Sequence, residues 1–205
     1  MSYKNSVFFL ITGIIILIIF KYLISFYLPT NPVSIEPLVQ LRAKPLVLYS
    51  QKDACKEFEL NDQYRPLNYI TSKKQFIDHH DLITDSVTGL MWPKSCRKTP
   101  LNYFDAIDHT NHLNQIKFKG FNDWRLPTIE ELLSLLTVDK QSNHLFINPL
   151  FHTVNVRYWS SDKLAAKTPW GIKENSAWGV DYSFGYVFWS YFHDMQFVKV
   201  VRVNH

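Results

Sequence analysis

The chain has few cysteines and lacks the motifs of several familiar classes of protein. Only Cys55 and Cys96 are cysteines among the 205 residues, too few for a disulfide-dense scaffold or a four-cysteine zinc site. The net charge is +4 and no basic run occurs, so we expect no nucleic-acid partner, which usually needs a clustered basic stripe. The motifs G-x-S-x-G and H-E-x-x-H are also absent. We therefore predict no enzymatic activity, no cofactor and no metal site.

The N-terminal segment is the longest apolar run of the chain. Residues 7–28 are almost wholly apolar apart from Lys21, and a helix of about 22 residues reaches about 33 Å, enough to cross a bilayer. The alternative is a cleaved signal peptide with Lys4 in its charged part, but no A-x-A-like small-residue site follows. We predict an uncleaved transmembrane anchor at residues 6–28, with residues 1–5 in the cytoplasm.

Prolines dominate the segment that follows the apolar run. Pro29, Pro32, Pro37 and Pro45 occur within a short stretch, a density that favours an extended, semi-rigid spacer. We therefore predict a linker and pre-domain segment at residues 29–70. The globular domain is expected at residues 71–205.

Two amphipathic patterns predict helices. Thr128 and Glu131 have the spacing of a capping box, and an apolar stripe of period 3.6 follows, which indicates a helix over residues 128–138. Thr99-Pro100 is typical of a helix start and predicts a second helix at about residues 100–114.

Alternating patterns predict strands on both sides of these helices. A hairpin-like opening is expected at residues 76–92, and strands at 154–160, 178–182, 186–192 and 197–203. Residues 162–175 are polar and contain Pro169 and Gly171, which indicates a surface loop. The order of elements predicts an α+β fold with two helices and an antiparallel sheet.

A polar and aromatic motif comes at the start of the helix predicted at residues 128–138. Asp123 is expected to pair with Arg125 or with nearby backbone N–H groups, because paired acids near a core are commonly structural. We predict a structural role for the whole motif, which comprises Asp123, Trp124, Arg125, Pro127, Thr128 and Glu131.

Several short motifs, in order, resemble the Lcl C-terminal domain family. They are TDSVTGLMW, DWRLPT followed by EL, RYWSS, AWGVDYSFGYV and VKVVRV, and the resemblance covers about residues 76–203. It implies a C-type lectin-like fold and a bacterial domain exported to the periplasm or the cell exterior. Related formylglycine-generating enzymes depend on late cysteines, whereas Cys55 and Cys96 lie early, so their activity is not implied.

The cysteines and acidic residues differ from what such folds often carry. At the positions of a cysteine pair that is frequent in the family, this chain has Thr110 and Val200. We predict instead a disulfide between Cys55 and Cys96, the only two cysteines, in an oxidising compartment. The EPN and WND signatures of sugar-binding lectins are absent, and no calcium site is predicted because the acidic residues are scattered.

The closing aromatic strands are the predicted binding surface. Ser183-Phe184-Gly185 is too short a connection to bury its middle residue, and Gly185 supplies a positive φ. The candidate binding residues are Asp181, Tyr182, Phe184, Tyr186 and Trp189. The alternative is that these rings pack into the core.

The leading interpretation is a membrane-anchored, exported, non-enzymatic module that binds a glycan or another cell-surface ligand. The second is a structural or assembly subunit of a bacterial envelope complex, with a protein partner. The third is an enzyme of unknown type.

Overall fold

The computed structural model describes residues 37–72, 75–95, 97–153, 156–168 and 171–204. Strands outnumber helices in this part of the chain, and they form two separate four-stranded sheets. The elements in chain order are β1 (Val47–Leu48), α1 (Gln51–Glu57), β2 (Phe76–His79), β3 (Leu82–Asp85), β4 (Leu90–Pro93), α2 (Tyr103–Gln115), α3 (Ile129–Leu133), β5 (Arg157–Thr168), β6 (Gly171–Asp181), β7 (Tyr186–Tyr191) and β8 (Arg202–Val203).

The larger sheet has the strand order β1-β5-β6-β7. Strands β5, β6 and β7 form an antiparallel meander, while β1 lies parallel to β5. The prediction of a surface loop at residues 162–175 is wrong, because β5 and β6 stay paired as far as Thr168 and Gly171. Register shifts between Trp159 and Lys163 and after Leu164 break the two-residue alternation that identifies a strand in a sequence.

The smaller sheet has the order β2-β3-β4-β8 and is antiparallel throughout. The buried Asp85 organises the turn between β3 and β4, because its Oδ1 accepts from the backbone N–H groups of Val87 and Thr88. Gly89 completes this turn with φ of 67°. The predicted hairpin at residues 76–92 is therefore confirmed.

The two predicted helices are present, but both are shorter than expected. Asn102 caps α2 through Asp105, so the helix begins after Thr99-Pro100 rather than at it. The capping box of Thr128 and Glu131 starts α3 as predicted. However, α3 ends at Leu133, because the chain leaves the helix to pair with Ile147.

The predicted α+β arrangement of two helices and one antiparallel sheet is wrong for the described residues. They form two sheets, one of them mixed, with three short α-helices. The predicted anchor at residues 6–28 lies outside the described residues. The helices within the described residues are all too short or too polar to span a bilayer. The C-type lectin-like label stays a prediction.

The segment predicted as linker packs against the rest of the domain. From residue 37 onward, the described chain belongs to one compact unit. Val39 donates a backbone hydrogen bond to Val87, β1 pairs with β5, and the Phe58 ring meets Trp178 edge-on at 5.9 Å. The described residues 37–70 therefore pack in the same unit as residues 71–204 and do not form an extended spacer.

The larger sheet separates two hydrophobic clusters. Consecutive residues of β5 point to opposite faces, so Tyr158 joins one cluster and Trp159 the other. The first cluster includes Phe58 of the N-terminal segment and Trp178 of β6. The second lies under α2 and includes Trp124.

Candidate functional site

The motif before α3 is held by contacts from α2 and from the C-terminal strand. The Trp124 side chain is 2% exposed, its Nε1 donates to the Phe118 carbonyl at 2.9 Å, and Asn114 bonds both its backbone N–H and its carbonyl. The Asp123 carboxylate accepts from Nε of Arg202 at 2.7 Å. We expected Arg125 or nearby backbone N–H groups as its partners, and the ion pair that the structure shows is with Arg202 rather than Arg125.

Arg125 pairs instead with the buried Glu131 of α3. Its two terminal nitrogens donate to the two carboxylate oxygens of Glu131, at 2.6 and 2.5 Å. Glu131 also accepts from the Thr128 backbone N–H, and Pro127 accepts from Ser161 of β5. The motif therefore joins α3 to β5 through an ion pair and hydrogen bonds, and we call this set of contacts the brace. Its structural role stays a prediction.

A buried carboxylate of β5 extends this brace to the N-terminal segment. Asp162 accepts from both terminal nitrogens of Arg42 at 2.8 and 3.0 Å, and from the backbone N–H groups of Leu46 and Ile129 at 2.7 Å each. Arg42 also pairs with Glu130. The Arg42 guanidinium thus offsets the charge of a carboxylate that has no exposed surface, and the four hydrogen bonds satisfy its oxygens.

Two of the five candidate binding residues are buried. Asp181 is 1% exposed: its Oδ1 accepts from Ser183 and its Oδ2 from Nε of Arg157, at 2.9 Å. Tyr182 is fully buried, and its hydroxyl donates to the Leu132 carbonyl at 2.9 Å. Neither residue is placed to meet a ligand, because the turn uses the Asp181 oxygens and the core encloses the Tyr182 ring.

The middle of the turn between β6 and β7 points outward. Phe184 is 60% exposed, and Gly185 has φ of 70° as its position in the turn predicts. The Phe184 and Tyr186 rings lie 6.2 Å apart. These two candidate residues therefore lie together at the tip of the hairpin.

Trp189 lies at the other end of β7, on the wall of a second surface. This surface, the aromatic cleft, has a volume of about 300 Å³ and is bordered by Tyr49, Trp189 and Tyr191. Leu164, Ser176 and Tyr191 face one another across β5, β6 and β7. Directly opposed residues share a face of the sheet, so this row forms the floor of the cleft.

The rings of the cleft are fixed in position. Trp189 and Tyr191 meet edge-on at 5.4 Å, and the imidazole of His193 stacks on Tyr191 at 5.5 Å. The Asp194 carboxylate accepts from the backbone N–H of Tyr191 and from the Ser190 hydroxyl. Tyr191 remains 44% exposed, so its ring is both held and accessible.

Uncharged polar groups complete the cleft. Gln51 and Asn175 line it from α1 and β6. The Tyr64 hydroxyl donates to Oε1 of Gln51 at 2.9 Å, and the Ser176 hydroxyl donates to Oδ1 of Asn175 at 3.1 Å. Because these two bonds occupy the amide oxygens, the amide nitrogens of Gln51 and Asn175 are the groups that can donate to a ligand. Aromatic faces beside amide groups suit a small, uncharged, hydroxyl-rich molecule.

Sequence reasoning identified Trp189 but missed Tyr49, Gln51 and Asn175. The first two lie in the segment predicted as linker, and Asn175 lies in the segment predicted as loop. Tyr191 falls inside a predicted strand, and the high aromatic content of that strand was the available signal.

The predicted disulfide is not tested by the described residues. Cys55 is half-buried on α1, near Tyr64, and Cys96 lies outside the described residues. The pairing stays a prediction. Among the residues that the structure describes, no cluster of three His, Cys, Asp or Glu side chains could hold a metal ion.

Comparisons with known proteins identify the family of the domain. No curated protein matches the chain. The Lcl C-terminal domain matches residues 81–202, which is more than half of the 205 residues and contains β3 to β7 and the motif before α3. The match leaves out the segment 37–80, which supplies Tyr49 and Gln51 to the cleft and Arg42 to the brace. The chain belongs to the Lcl C-terminal domain family.

Proposed function

We propose that this chain is a non-enzymatic binding module and that its aromatic cleft holds a sugar ring of a cell-surface or envelope glycan. The observation that carries the proposal is the exposed Tyr191 ring beside Trp189, with the amides of Gln51 and Asn175 within the same cavity. Family membership supports a binding or structural module at a coarser level.

The chemistry of the cleft fits a pyranose better than a flat or charged ligand. The C–H face of a sugar ring is apolar and packs on an aromatic ring, while the hydroxyls at its edge need hydrogen-bond partners. Tyr191 offers the ring, and the amides of Gln51 and Asn175 offer donors at the border. No charged side chain lines the cleft among the described residues, so a neutral sugar is the expected ligand.

The cleft is preformed, which lowers the cost of binding. Asp194 fixes the backbone of Tyr191, Tyr64 fixes Gln51, and the β-sheet fixes Trp189 opposite Trp178. Ordering one flexible side chain on binding costs about 0.5–1.5 kcal/mol, so such restraint favours even a small ligand.

A glycan array probed with the full-length chain tests the proposal. We expect binding to one group of neutral glycans that share a terminal or internal hexose. Asn175→Ala should weaken the signal, because it removes one donor at the border of the cleft. Phe104→Ala is the control, because Phe104 is 61% exposed on α2 and does not line the cleft. Equal loss with both variants, or binding to no glycan, would refute the proposal.

The module is proposed to work outside the cytoplasm, where such glycans occur. Support for this location comes from the family alone, and no membrane anchor is part of the proposal. The second interpretation is an assembly subunit with a protein partner, and the exposed Phe184 ring at the tip of the β6–β7 hairpin supports it.

A further inference from the structure

The tip of the β6–β7 hairpin carries a second exposed aromatic surface, at the opposite end of β7 from the cleft. Phe184 is 60% exposed at the middle of the turn, and Tyr186 lies beside it. An exposed phenylalanine at a tight turn contributes little to the fold, because its ring stays in water. Its position is therefore not explained by the packing of the domain.

Three cationic side chains contact the backbone or Tyr186 of this hairpin tip, or Phe146, on which the tip packs. Nη2 of Arg65 donates to the Phe184 carbonyl at 2.6 Å, and its guanidinium lies 5.0 Å from the centre of the Phe146 ring. The Lys140 ammonium lies 5.7 Å from the same ring centre. Arg157 reaches the Tyr186 hydroxyl at 3.2 Å and is 45% exposed. We call Phe184, Tyr186 and these three cations the basic tip.

The positive charge of the basic tip is only partly neutralised. Asp181 pairs with Arg157, and the hydrogen bond that Arg157 donates to this carboxylate raises the pKa of the Arg157 guanidinium. Asp181 is itself 1% exposed, so its carboxylate offsets the charge of Arg157 without presenting an acidic group to a partner, while Arg65 and Lys140 keep their charge. No other ion pair to Arg65, Lys140 or Arg157 occurs among the described residues.

The backbone below the basic tip is rigid. A Cβ at Gly185 would lie 3.0 Å from the Phe146 ring, so the turn sits directly on that residue. The backbone N–H of Phe146 donates to the Tyr182 carbonyl at 2.7 Å, and that of Val187 donates to the Tyr64 carbonyl at 2.8 Å. Two separate segments, those of Tyr64 and Phe146, therefore hold the turn in place, which lowers the entropy cost of binding a partner.

We propose that the basic tip docks an acidic segment of a partner protein. Carboxylates of the segment would face Arg65, Lys140 and Arg157, while an apolar side chain packs on Phe184. Aromatic residues and arginine are the residue types that dominate binding energy at protein interfaces. A polyanionic polysaccharide would use the cations but would leave the Phe184 ring without a matching apolar group, so a protein segment is favoured. This interaction goes beyond the proposed glycan binding and does not depend on it.

Fluorescence anisotropy with the full-length chain tests the proposal. The probe is a fluorescein-labelled peptide of alternating glutamate and phenylalanine, and the reference peptide has glutamine in place of glutamate. We expect binding with a dissociation constant below about 1 mM, weakening as salt rises. Heparin serves as a competing polyanion without apolar side chains.

Matched variants separate the ring from the charge. Phe184→Ala should weaken binding at least fivefold, which corresponds to the threshold of about 1 kcal/mol for an interface anchor. Phe104→Ala removes a ring of equal exposure, 61%, and should leave binding within twofold. Lys140→Gln should weaken binding, whereas Lys98→Gln, an exposed lysine before α2, should not.

Three results would overturn the proposal. The first is absence of binding to the acidic peptide, and the second is equal binding of the glutamine peptide. The third is tight heparin binding that Phe184→Ala leaves unchanged, which would assign the surface to a polysaccharide. Unchanged melting of the Phe184→Ala variant would confirm that a loss of binding arises from the surface and not from unfolding.

Discussion

Replacing Asp162 by Asn should destabilise the domain strongly, although it changes only one atom of the side chain. The carboxylate is fully buried and accepts four hydrogen bonds, two from Arg42 and one each from the backbone of Leu46 and Ile129. An asparagine places an N–H₂ donor against one pair of these donors and leaves the guanidinium less well paired. Breaking a buried ion pair by removing one partner costs about 3–5 kcal/mol. Because Arg42 is 21% exposed and keeps Glu130, we expect the lower value, about 3 kcal/mol.

Thermal unfolding followed by circular dichroism measures this effect. For a domain of this size, a loss of 3 kcal/mol lowers the midpoint by about 6–12 °C. Lys163→Gln is the control, because the neighbouring Lys163 pairs with Glu174 on the surface, where both side chains are about one third exposed. Such exposed pairs contribute about 0–1 kcal/mol. If Asp162→Asn and Lys163→Gln had the same midpoint, the brace between the N-terminal segment and β5 would not stabilise the domain.

Three further predictions concern the remaining contacts. A chain that begins at residue 37 should fold, whereas one that begins at residue 71 should give no cooperative unfolding transition, because it lacks Phe58, which is 3% exposed in the core. Glu131→Gln should lower the free energy of unfolding by about 3 kcal/mol in urea titration, because it leaves Arg125 without its carboxylate; a change below 0.5 kcal/mol would contradict the assigned pairing. The hydrogen bond from Lys94 lowers the pKa of Asp78, so the stabilisation from this pair is present above the ordinary pKa of Asp and is lost as the pH falls through the lowered value. Nuclear magnetic resonance titration should show that Lys94→Gln raises the Asp78 pKa, and an unchanged pKa would rule the pair out.

The sequence alone predicts the features that neighbouring residues determine, such as the start of α3 and the turn that carries Phe184. The capping box of α3 needs only Thr128 and Glu131 at the right spacing, and the outward position of Phe184 follows from the length of its turn. Both features depend on residues that are close together in the chain. Local hydrogen bonds and the positive φ of Gly185 therefore decide them without reference to the rest of the fold.

Long-range contacts were the source of the errors. Asp123 pairs with Arg202 across the fold rather than with the nearby Arg125, because β8 brings Arg202 next to the motif. The segment 37–72 reads as a proline-containing spacer, yet it supplies Arg42 to Asp162 and Phe58 to the core. Composition describes the flexibility of an isolated segment and contains no information about the surface on which it packs.

The candidate site contains residues that local sequence patterns identify and residues that only long-range contacts bring to it. The sequence predicts that Trp189 and Tyr191 lie on an aromatic strand. It does not show that they lie on a different surface from Phe184, because that depends on the length of β7. Tyr49 joins them because it directly follows β1, which pairs with β5. A cleft assembled from four separate segments has no signature in a single sequence.

The most direct test of glycan binding in the cleft is the affinity of the Tyr191→Ala variant for the best glycan of the array, measured by isothermal titration calorimetry. Tyr191 is 44% exposed, so its removal should leave the melting temperature within about 2 °C. We predict a loss of affinity of at least fivefold, about 1 kcal/mol, whereas Phe104→Ala should bind like the wild type. Wild-type affinity in the Tyr191→Ala variant would contradict the account, because the ring that defines the cleft would then make no contact with the sugar.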